Sequence, residues 1–352
     1  MTTRTATAPE CRTQSYTRLA SGPTAESPRR RCSRAVAISK VRPMTNTHLP
    51  RISGSNARDG SRRLDTLATL VVDGRTFAYQ DVGAGTPVIL AHCSGGTHAT
   101  WAPLVTTLRD RYRVLAPDLL GYGRSEPWPV NTALHPWSDL GAILTLVDRV
   151  GEPVHLVGHS YGGTVALEAA RLLGPRVKSL TLVEPVAFHL LRLTGRIREW
   201  KEITVVGERL TSALRLRRDR GAASVYVKYW VGRMRWWSMS PRARRGVVQT
   251  VGKVGAEFEL ISHLKASIGD YRGIHAQTRL IAGERTPKPA RAIADELVQI
   301  LPDAHLRVLA RAGHMSPLTH PAEVSAMIAE HIDAVEQCDC EAESGPRRRS
   351  IA

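Results

Sequence analysis

Residues 153–163 read PVHLVGHSYGG, an apolar, β-prone run that leads directly into Gly158-His159-Ser160-Tyr161-Gly162. A helix-forming segment follows at residues 164–173. A serine in the tight turn between a buried strand and a helix lies over the helix N-terminus, where backbone N–H groups favour developing negative charge. The small residues beside it let the backbone pass close to its neighbours. The pattern therefore predicts that Ser160 is a nucleophile.

Strand and helix patterns alternate on both sides of this turn. The order is typical of a mostly parallel sheet flanked by helices, an α/β fold. Two β-prone runs near the start are joined by Asp73-Gly74, a strong hairpin signal. The eight predicted strands are residues 67–72, 76–80, 87–92, 113–117, 154–158, 177–184, 278–282 and 305–309. The predicted helices are 101–108, 139–150, 164–173, 289–301 and 321–335.

The alternation defines a domain organisation. Residues 66–187 and 271–335 form the predicted α/β core, and residues 188–270, which are Arg-rich and helical in pattern, form an inserted helical cap. Residues 1–65 lack apolar periodicity and predict a disordered basic extension, with a transit peptide or a true start at Met44 as alternatives. Residues 336–352 predict a flexible tail.

The charge distribution and the cysteine content limit the classes of binding partner and cellular setting that the sequence favours. The net charge of +17 is concentrated: residues 1–65 hold 13 Arg or Lys against 4 Asp or Glu, and residues 190–250 hold 15 against 4. Such an excess fits anionic partners or a solvated Arg-rich surface, and no nucleic-acid motif accompanies it. No run of about 20 apolar residues suggests a membrane span. Five cysteines without framework or zinc spacing favour a reducing, cytoplasmic setting without a metal; Cys338-x-Cys340 after His331 is only a weak metal pattern.

Three further motifs carry a family resemblance. They are His92-Cys93-Ser94-Gly95-Gly96 after the third predicted strand, residues 118–125 (DLLGYGRS) after the fourth, and Gly313-His314 after the last. With the motif around Ser160, residues 66–335 resemble the α/β-hydrolase superfamily, of the single-domain kind with a helical cap. The resemblance implies a cofactor-independent serine hydrolase whose catalytic residues run in the order Ser, acid, His.

His314 is the predicted base, because it follows the last strand at the carboxyl edge of the sheet. His159, within the motif, is expected to point away from the site, and His320 to lie at a helix end. For the catalytic acid, this sequence departs from the usual family pattern. The usual position of the acid, after the seventh strand, holds Thr286. Glu184, at the end of the sixth strand, is the preferred acid, in an arrangement that resembles haloalkane dehalogenases. Glu284 is the alternative.

The resemblance also implies an oxyanion hole made by the backbone N–H groups of Tyr161 and Ser94. Cys93 stands where the family usually has glycine, and no base is implied beside its thiol. The predicted function is hydrolysis of an ester, thioester or related acyl bond of a small molecule, neutral or anionic, through an acyl-enzyme on Ser160. Carbon–carbon bond hydrolysis on the same residues and a catalytically silent ligand-binding protein are the alternatives. The substrate and the oligomeric state stay open.

Overall fold

A computed structural model describes residues 67–129 and 137–344 of the 352-residue chain. The predictions for residues 1–65, including the alternative start at Met44, lie outside the described residues. So does the part of the predicted tail from residue 345 onward.

The described residues contain one eight-stranded sheet, which confirms the predicted fold class. The spatial order is β1-β2-β4-β3-β5-β6-β7-β8, in which β1 and β4 pair antiparallel to β2 and all other neighbours are parallel. The strands are β1 Ala68–Val72, β2 Arg75–Val82, β3 Pro87–Ala91, β4 Arg113–Pro117, β5 Val154–His159, β6 Val177–Val183, β7 Gln277–Gly283 and β8 Ala304–Leu309.

The hairpin at the sheet edge forms as its sequence predicts. Val72 pairs with Arg75, which leaves Asp73 and Gly74 as a two-residue loop. Both loop residues have positive φ, 50° and 75°, the conformation that a type I′ turn requires and that Asp-Gly adopts readily.

The central strands are apolar throughout because helices cover both faces of the sheet. On one face Ile89 and Leu156 pack with the helices α2 Trp137–Val150, α3 Tyr161–Leu173 and α10 Lys288–Ile300. On the other face Val88 and Val157 pack with α1 Ala102–Leu108 and α12 Pro321–Ser344. The sheet thereby places the carboxyl ends of β3, β5, β6, β7 and β8 along one edge, where the predicted site residues follow.

The last helix extends further than the sequence analysis expects. The predicted flexible tail begins at residue 336, but α12 continues to Ser344, so this boundary is wrong. Glu336 ties the helix to the sheet: its carboxylate pairs with Lys178 and accepts hydrogen bonds from Thr86 Oγ1 (3.0 Å) and His155 Nε2 (3.1 Å). Since no Gly or Pro occurs between residues 322 and 344, nothing in the sequence ends the helix earlier.

Within the described residues, the chain between β6 and β7 is helical. The Phe188 ring packs against Trp230 and Phe258 from different helices, and these contacts hold the cap together. Trp236 is buried as well, whereas Trp237 is exposed. No described helix is both long and apolar enough to cross a bilayer. The cap helices are α4 His189–Leu193, α5 Ile197–Arg215, α6 Asp219–Trp230, α7 Arg233–Ser238, α8 Pro241–Ser262 and α9 Ile268–Arg272.

Candidate active site

Ser160 occupies the turn between β5 and α3 in a strained conformation, with φ 54° and ψ −119°. Such a backbone persists only where the surroundings enforce it. Glycines at two neighbouring positions make it possible: a Cβ at Gly158 would lie 2.3 Å from the Gly162 carbonyl oxygen, and a Cβ at Gly162 would lie 2.3 Å from that of His92. The turn places the serine hydroxyl at the N-terminus of α3, as the sequence motif predicts.

His314 lies beside this hydroxyl. It follows β8 and is 3% exposed, and its Nε2 is 2.9 Å from Ser160 Oγ. Its Nδ1 is 2.7 Å from Glu184 Oε2. A carboxylate accepts only, so Nδ1 carries the proton and Nε2 accepts from the serine hydroxyl. The side chains of Ser160, His314 and Glu184 thus form one continuous hydrogen-bonded line.

Glu184 is fully buried and follows the last residue of β6, with a positive φ of 48°. The Gly283 N–H donates to its Oε1 at 2.6 Å, and the Thr286 hydroxyl donates to its Oε2. Burial opposes ionisation of this carboxyl. The hydrogen bonds from His314, Thr286 and Gly283 outweigh that effect, and the pKa of Glu184 is lowered. The acid is therefore ionised and oriented toward the imidazole.

The two residues that made the acid uncertain have other contacts. Thr286, at the position where the family usually has an acid, donates its hydroxyl to Glu184. Glu284 is exposed, and its Oε2 accepts a hydrogen bond from the Arg311 N–H at 2.7 Å. Glu284 thus ties two loops together and does not contact the imidazole. Of the two candidate acids, Glu184 alone is hydrogen-bonded to His314.

The other two histidines considered from the sequence lie outside this line. His159 does turn away from the serine, yet its Nε2 donates to the carbonyl oxygen of His314 at 2.9 Å and so holds the loop that carries His314. Burial and the neighbouring His314 lower the pKa of His159 to about 3, which keeps it neutral. His320 is half-buried, and its Nδ1 contacts the Thr319 hydroxyl.

The loop after β3 carries the predicted oxyanion donor Ser94. His92 fixes this loop: its Nδ1 donates to the Cys93 carbonyl oxygen at 2.8 Å, and its Nε2 accepts from the Leu119 N–H at 2.9 Å. Burial lowers the pKa of His92 to about 4, consistent with this neutral tautomer. The second predicted donor, Tyr161, is the first residue of α3, and the N–H of a first helical residue has no intrahelical acceptor.

Cys93 is buried, and burial raises the pKa of its thiol to about 12. A thiol with that pKa is not a nucleophile at neutral pH. Asp118, which begins the motif after β4, is also structural. Its Oδ1 accepts from the His98 N–H (2.7 Å) and Nδ1 (2.8 Å), and its Oδ2 accepts from the Arg124 N–H (2.8 Å). Both residues shape the loops around the serine and take no part in the hydrogen-bonded line.

The cap covers the imidazole. The Trp230 ring, at the end of α6, lies 4.1 Å from the His314 ring between centroids, with an interplanar angle of 36°. Trp230 therefore forms the wall of the site above His314. The described residues contain no group of three or more His, Cys, Asp or Glu side chains that could hold a metal ion.

The structure contains a buried charged cluster beneath the cap that the sequence did not predict. Lys253 on α8 lies between Asp139 on α2 and Glu257 on α8, and all three side chains are almost fully buried. Lys253 and Glu257 are four residues apart, a spacing that is typical of exposed helical ion pairs. Nothing in the sequence indicates that α8 turns this face toward the core.

The chain belongs to the α/β hydrolase family, because the model of that family matches residues 88–327, more than half of the chain. The fold and the position of the nucleophile turn agree with this assignment. Among solved structures, a putative lipase from Acinetobacter baumannii has a TM-score of 0.61 at 21% identity, and the match covers 77% of this chain and 92% of that one. At that identity the likeness shows the fold alone.

Two curated relatives illustrate the range of the family. The dihydrolipoyllysine-residue acetyltransferase component of the acetoin cleaving system from Cupriavidus necator is 27% identical over 292 residues, 74% of this chain and 67% of the relative. The pimeloyl-[acyl-carrier protein] methyl ester esterase from Methylococcus capsulatus is 41% identical over 104 residues, 29% of this chain. That match spans 37% of the esterase, well under half of its length.

Proposed function

We propose that this α/β hydrolase cleaves a carboxylic ester, thioester or related acyl bond through an acyl-enzyme on Ser160. The observation that carries the proposal is the unbroken hydrogen-bonded line from Ser160 Oγ to His314 (2.9 Å) and on to Glu184 (2.7 Å). A hydroxyl is a weak nucleophile until a neighbouring base takes its proton, and a base needs a fixed tautomer to do so. In the proposed mechanism His314 is the neighbouring base, and its hydrogen bond to Glu184 fixes its tautomer.

In the first half-reaction, Ser160 Oγ attacks the carbonyl carbon while His314 Nε2 takes the hydroxyl proton. The carbonyl oxygen becomes an oxyanion, which accepts hydrogen bonds from the Tyr161 N–H at the N-terminus of α3 and from the Ser94 N–H in the loop after β3. His314 then gives its proton to the leaving oxygen or sulfur as the carbon–heteroatom bond breaks. The products are the first leaving group and an ester of the acyl group with Ser160.

In the second half-reaction, water replaces the leaving group. His314 Nε2 takes a proton from the water as its oxygen attacks the acyl carbon, and the proton returns to Ser160 Oγ when the acyl-enzyme bond breaks. Glu184 stabilises the imidazolium in both halves. Its lowered pKa keeps it an anion while His314 carries the extra proton.

A fluorophosphonate probe tests the proposal, since it modifies activated serines covalently. We expect one probe per chain on the peptide that contains Ser160, and none in Ser160→Ala. A folded wild-type protein that the probe leaves unmodified would instead support the silent ligand-binding alternative. A panel of p-nitrophenyl and acyl-thioester substrates of graded chain length, neutral and anionic, then defines the acyl group.

The anionic part of the substrate prediction has a separate test within that panel. Arg220, Arg244 and Arg245 line a cap cavity of about 500 Å³. The Arg244 guanidinium donates to the carbonyl oxygens of Met239 and Trp237, so part of its donor capacity is already used. A preference for anionic over neutral esters that disappears in Arg220→Ala and Arg245→Ala would assign these arginines to the substrate.

A further inference from the structure

The buried cluster of Lys253, Asp139 and Glu257 is held together by a defined set of ion pairs and hydrogen bonds. The Lys253 ammonium lies 3.0 Å from Asp139 Oδ2 and 3.1 Å from Glu257 Oε1. Asp139 also accepts from the Leu120 N–H (2.7 Å) and from the Tyr161 hydroxyl (2.9 Å). Three donors therefore satisfy Asp139, and Lys253 is one of them, so the cluster joins α8 of the cap to the residue that follows the nucleophile.

Glu257 differs from Asp139, because only one of its oxygens is used. Oε1 accepts from Lys253 and from the Tyr122 hydroxyl at 3.0 Å. Oε2 is buried and has no hydrogen-bond partner among the described residues. A buried polar oxygen without a partner costs free energy, so such a group in a native site is a candidate for binding something that arrives later.

The unpartnered oxygen belongs to a carboxyl that borders the oxyanion loop. The Ser94 hydroxyl lies near the Glu257 carboxyl without completing a hydrogen bond, and Glu257 acts electrostatically on Cys93 and on Tyr226. The Tyr226 hydroxyl in turn donates to the Ser94 carbonyl oxygen at 3.2 Å. Glu257 is thus next to the loop that would hold the substrate carbonyl.

The surroundings of Glu257 favour the protonated form of its carboxyl. Burial raises the pKa of this carboxyl, against the opposing effect of Lys253. Because Oε1 already accepts from two donors, the proton of the neutral acid is on Oε2. In that protonated form Oε2 is a buried hydrogen-bond donor, and it has no hydrogen-bond partner in the described part of the protein.

We propose that Glu257 is a substrate-binding residue, whose Oε2 donates a hydrogen bond to a keto or hydroxyl oxygen on the acyl chain of the substrate. The inference rests on the proposed function, since it locates that oxygen relative to the oxyanion loop. It narrows the substrate class to oxygenated acyl groups over plain alkyl chains. A neutral carboxylic acid can donate in this way only while it stays protonated.

Binding to Ser160→Ala tests the inference without depending on turnover. The ligands are p-nitrophenyl hexanoate and its 3-oxo, 4-oxo and 5-oxo derivatives, which differ from it only in the added oxygen and its position. We expect at least one oxo ester to bind about tenfold more tightly than the hexanoate, the effect of one well-placed hydrogen bond that satisfies a buried donor. Equal dissociation constants for all four esters would overturn the inference.

Two second-site variants identify the donor. Glu257→Gln keeps an acceptor for Lys253 and Tyr122 and an N–H donor in place of Oε2, so the preference for the oxo ester is expected to remain. Glu257→Met has a similar volume and no donor, so the preference is expected to disappear. A preference that survives in Glu257→Met, or that is lost in Glu257→Gln, would contradict the assignment.

The pH profile separates binding by Glu257 from a purely structural role, and it serves even if Glu257→Met does not fold. With Glu257 present, the preference is expected to fall as the carboxyl ionises at higher pH, whereas with Gln it stays constant. The other titratable groups around Glu257 are the same in both proteins, so the difference isolates this carboxyl. They are Cys93, Tyr122, Asp139, Tyr161, Tyr226 and Lys253. Two identical profiles would overturn the inference.

The test also distinguishes this inference from the proposed function. If the fluorophosphonate probe leaves Ser160 unmodified while the oxo ester is still preferred, hydrolysis through Ser160 is wrong and the binding role of Glu257 stands. If the probe labels Ser160 but no oxo ester is preferred, the hydrolase proposal stands and the role of Glu257 is wrong.

Discussion

The α/β core and the cap hold their buried polar groups by different means. In the core, backbone groups fix the side chains of the site: Gly283 N–H holds Glu184, the His314 carbonyl holds His159, and Leu119 N–H holds His92. On the cap, the buried charges of α8 depend on side chains. Lys253 pairs with Asp139, and one oxygen of Glu257 accepts from Tyr122; both of these partners come from other elements.

This difference suits the core to catalysis, which needs fixed geometry, and the cap to binding and stability. Backbone groups move little, so a site held by them keeps the sub-ångström geometry that proton transfer needs. Side-chain networks that join two parts of a chain can be altered without disturbing the sheet. We therefore expect changes in the core site to act on turnover, and changes in the cap cluster to act on binding and stability.

The largest effect is expected for Ser160→Ala. Removing the hydroxyl abolishes the proposed covalent route, so turnover of any hydrolysed ester should fall by about 10⁴-fold or more. The substitution removes one atom from a site that glycines and backbone hydrogen bonds already shape, so the melting temperature should change little. Steady-state kinetics and thermal unfolding of the same preparation provide the check. Residual turnover above about a tenth of wild type would rule out this nucleophile.

The next effect compares two acids that lie at neighbouring strand ends. Glu184→Gln leaves the imidazolium without its anion and offers an amide that can favour the wrong tautomer, so turnover should fall by about 10³-fold to 10⁴-fold. Glu284→Gln, the matched control, changes a loop contact to Arg311 and should alter turnover less than about threefold. If the control is the impaired enzyme, the acid belongs to β7. If neither is impaired, a Ser–His dyad is sufficient.

The cap cluster is tested by Lys253→Met, which removes the cation from between two buried carboxyl groups. Breaking a buried ion pair by removing one partner typically costs about 3–5 kcal/mol of unfolding free energy. Lys201→Met, at an exposed position on α5, is the control and should cost less than about 0.5 kcal/mol. Chemical denaturation measures both. Equal stability of the two variants would mean that the cluster contributes nothing to holding α8.

The smallest expected effects are those of single titratable groups on the pH dependence of the unfolding free energy. Their sign differs between the core and the cap. The pKa values of His92 and His159 in the core are lowered by burial to about 4 and about 3. Between pH 6.5 and about 4 the unfolded chain binds protons that the folded chain does not, so stability falls as pH falls, by at most about 1.4 kcal/mol per pH unit for each histidine.

Glu257 acts in the opposite direction. Burial raises the pKa of its carboxyl, so the folded protein retains a proton that the unfolded chain loses. Its contribution is present at low pH and is lost as pH rises through the folded pKa. Unfolding free energies measured across pH in wild type and Glu257→Gln should therefore diverge toward higher pH. Parallel curves would show that Glu257 does not titrate differently in the two states.

Much of the core could be predicted because its signals are local. The Ser160 turn combines a buried strand, small residues and a helix within about a dozen positions, and β4 (Arg113–Pro117) matches its predicted bounds. The order of the motifs also led to His314. The position of Glu184 at the end of the sixth strand also predicts a carboxylate close to His314, and the two side chains are hydrogen-bonded. What the sequence could not supply was the contact of Thr286 with Glu184, which joins residues 102 positions apart.

The cap was less predictable for a physical reason. Lys253 and Glu257 have the composition and spacing of a solvated helix face, and their burial depends on Asp139, which is 114 positions from Lys253. Similarly, a tryptophan-rich segment predicts a covered core but not which ring lies over the imidazole. The end of α12 was missed because Glu336 and Asp339 read as a polar tail, whereas both pair with Lys178 on β6.

The proposed function depends on the acylation of Ser160, with His314 as its base and Glu184 as the acid that orients His314. The most direct measurement is the mass of wild-type enzyme quenched with acid during the first turnovers of a p-nitrophenyl ester, followed by peptide mapping. We expect one added acyl group, located on the peptide that contains Ser160, with a burst of p-nitrophenol of matching amplitude. Turnover of the ester with the acyl group on another residue, such as Cys93, would contradict it.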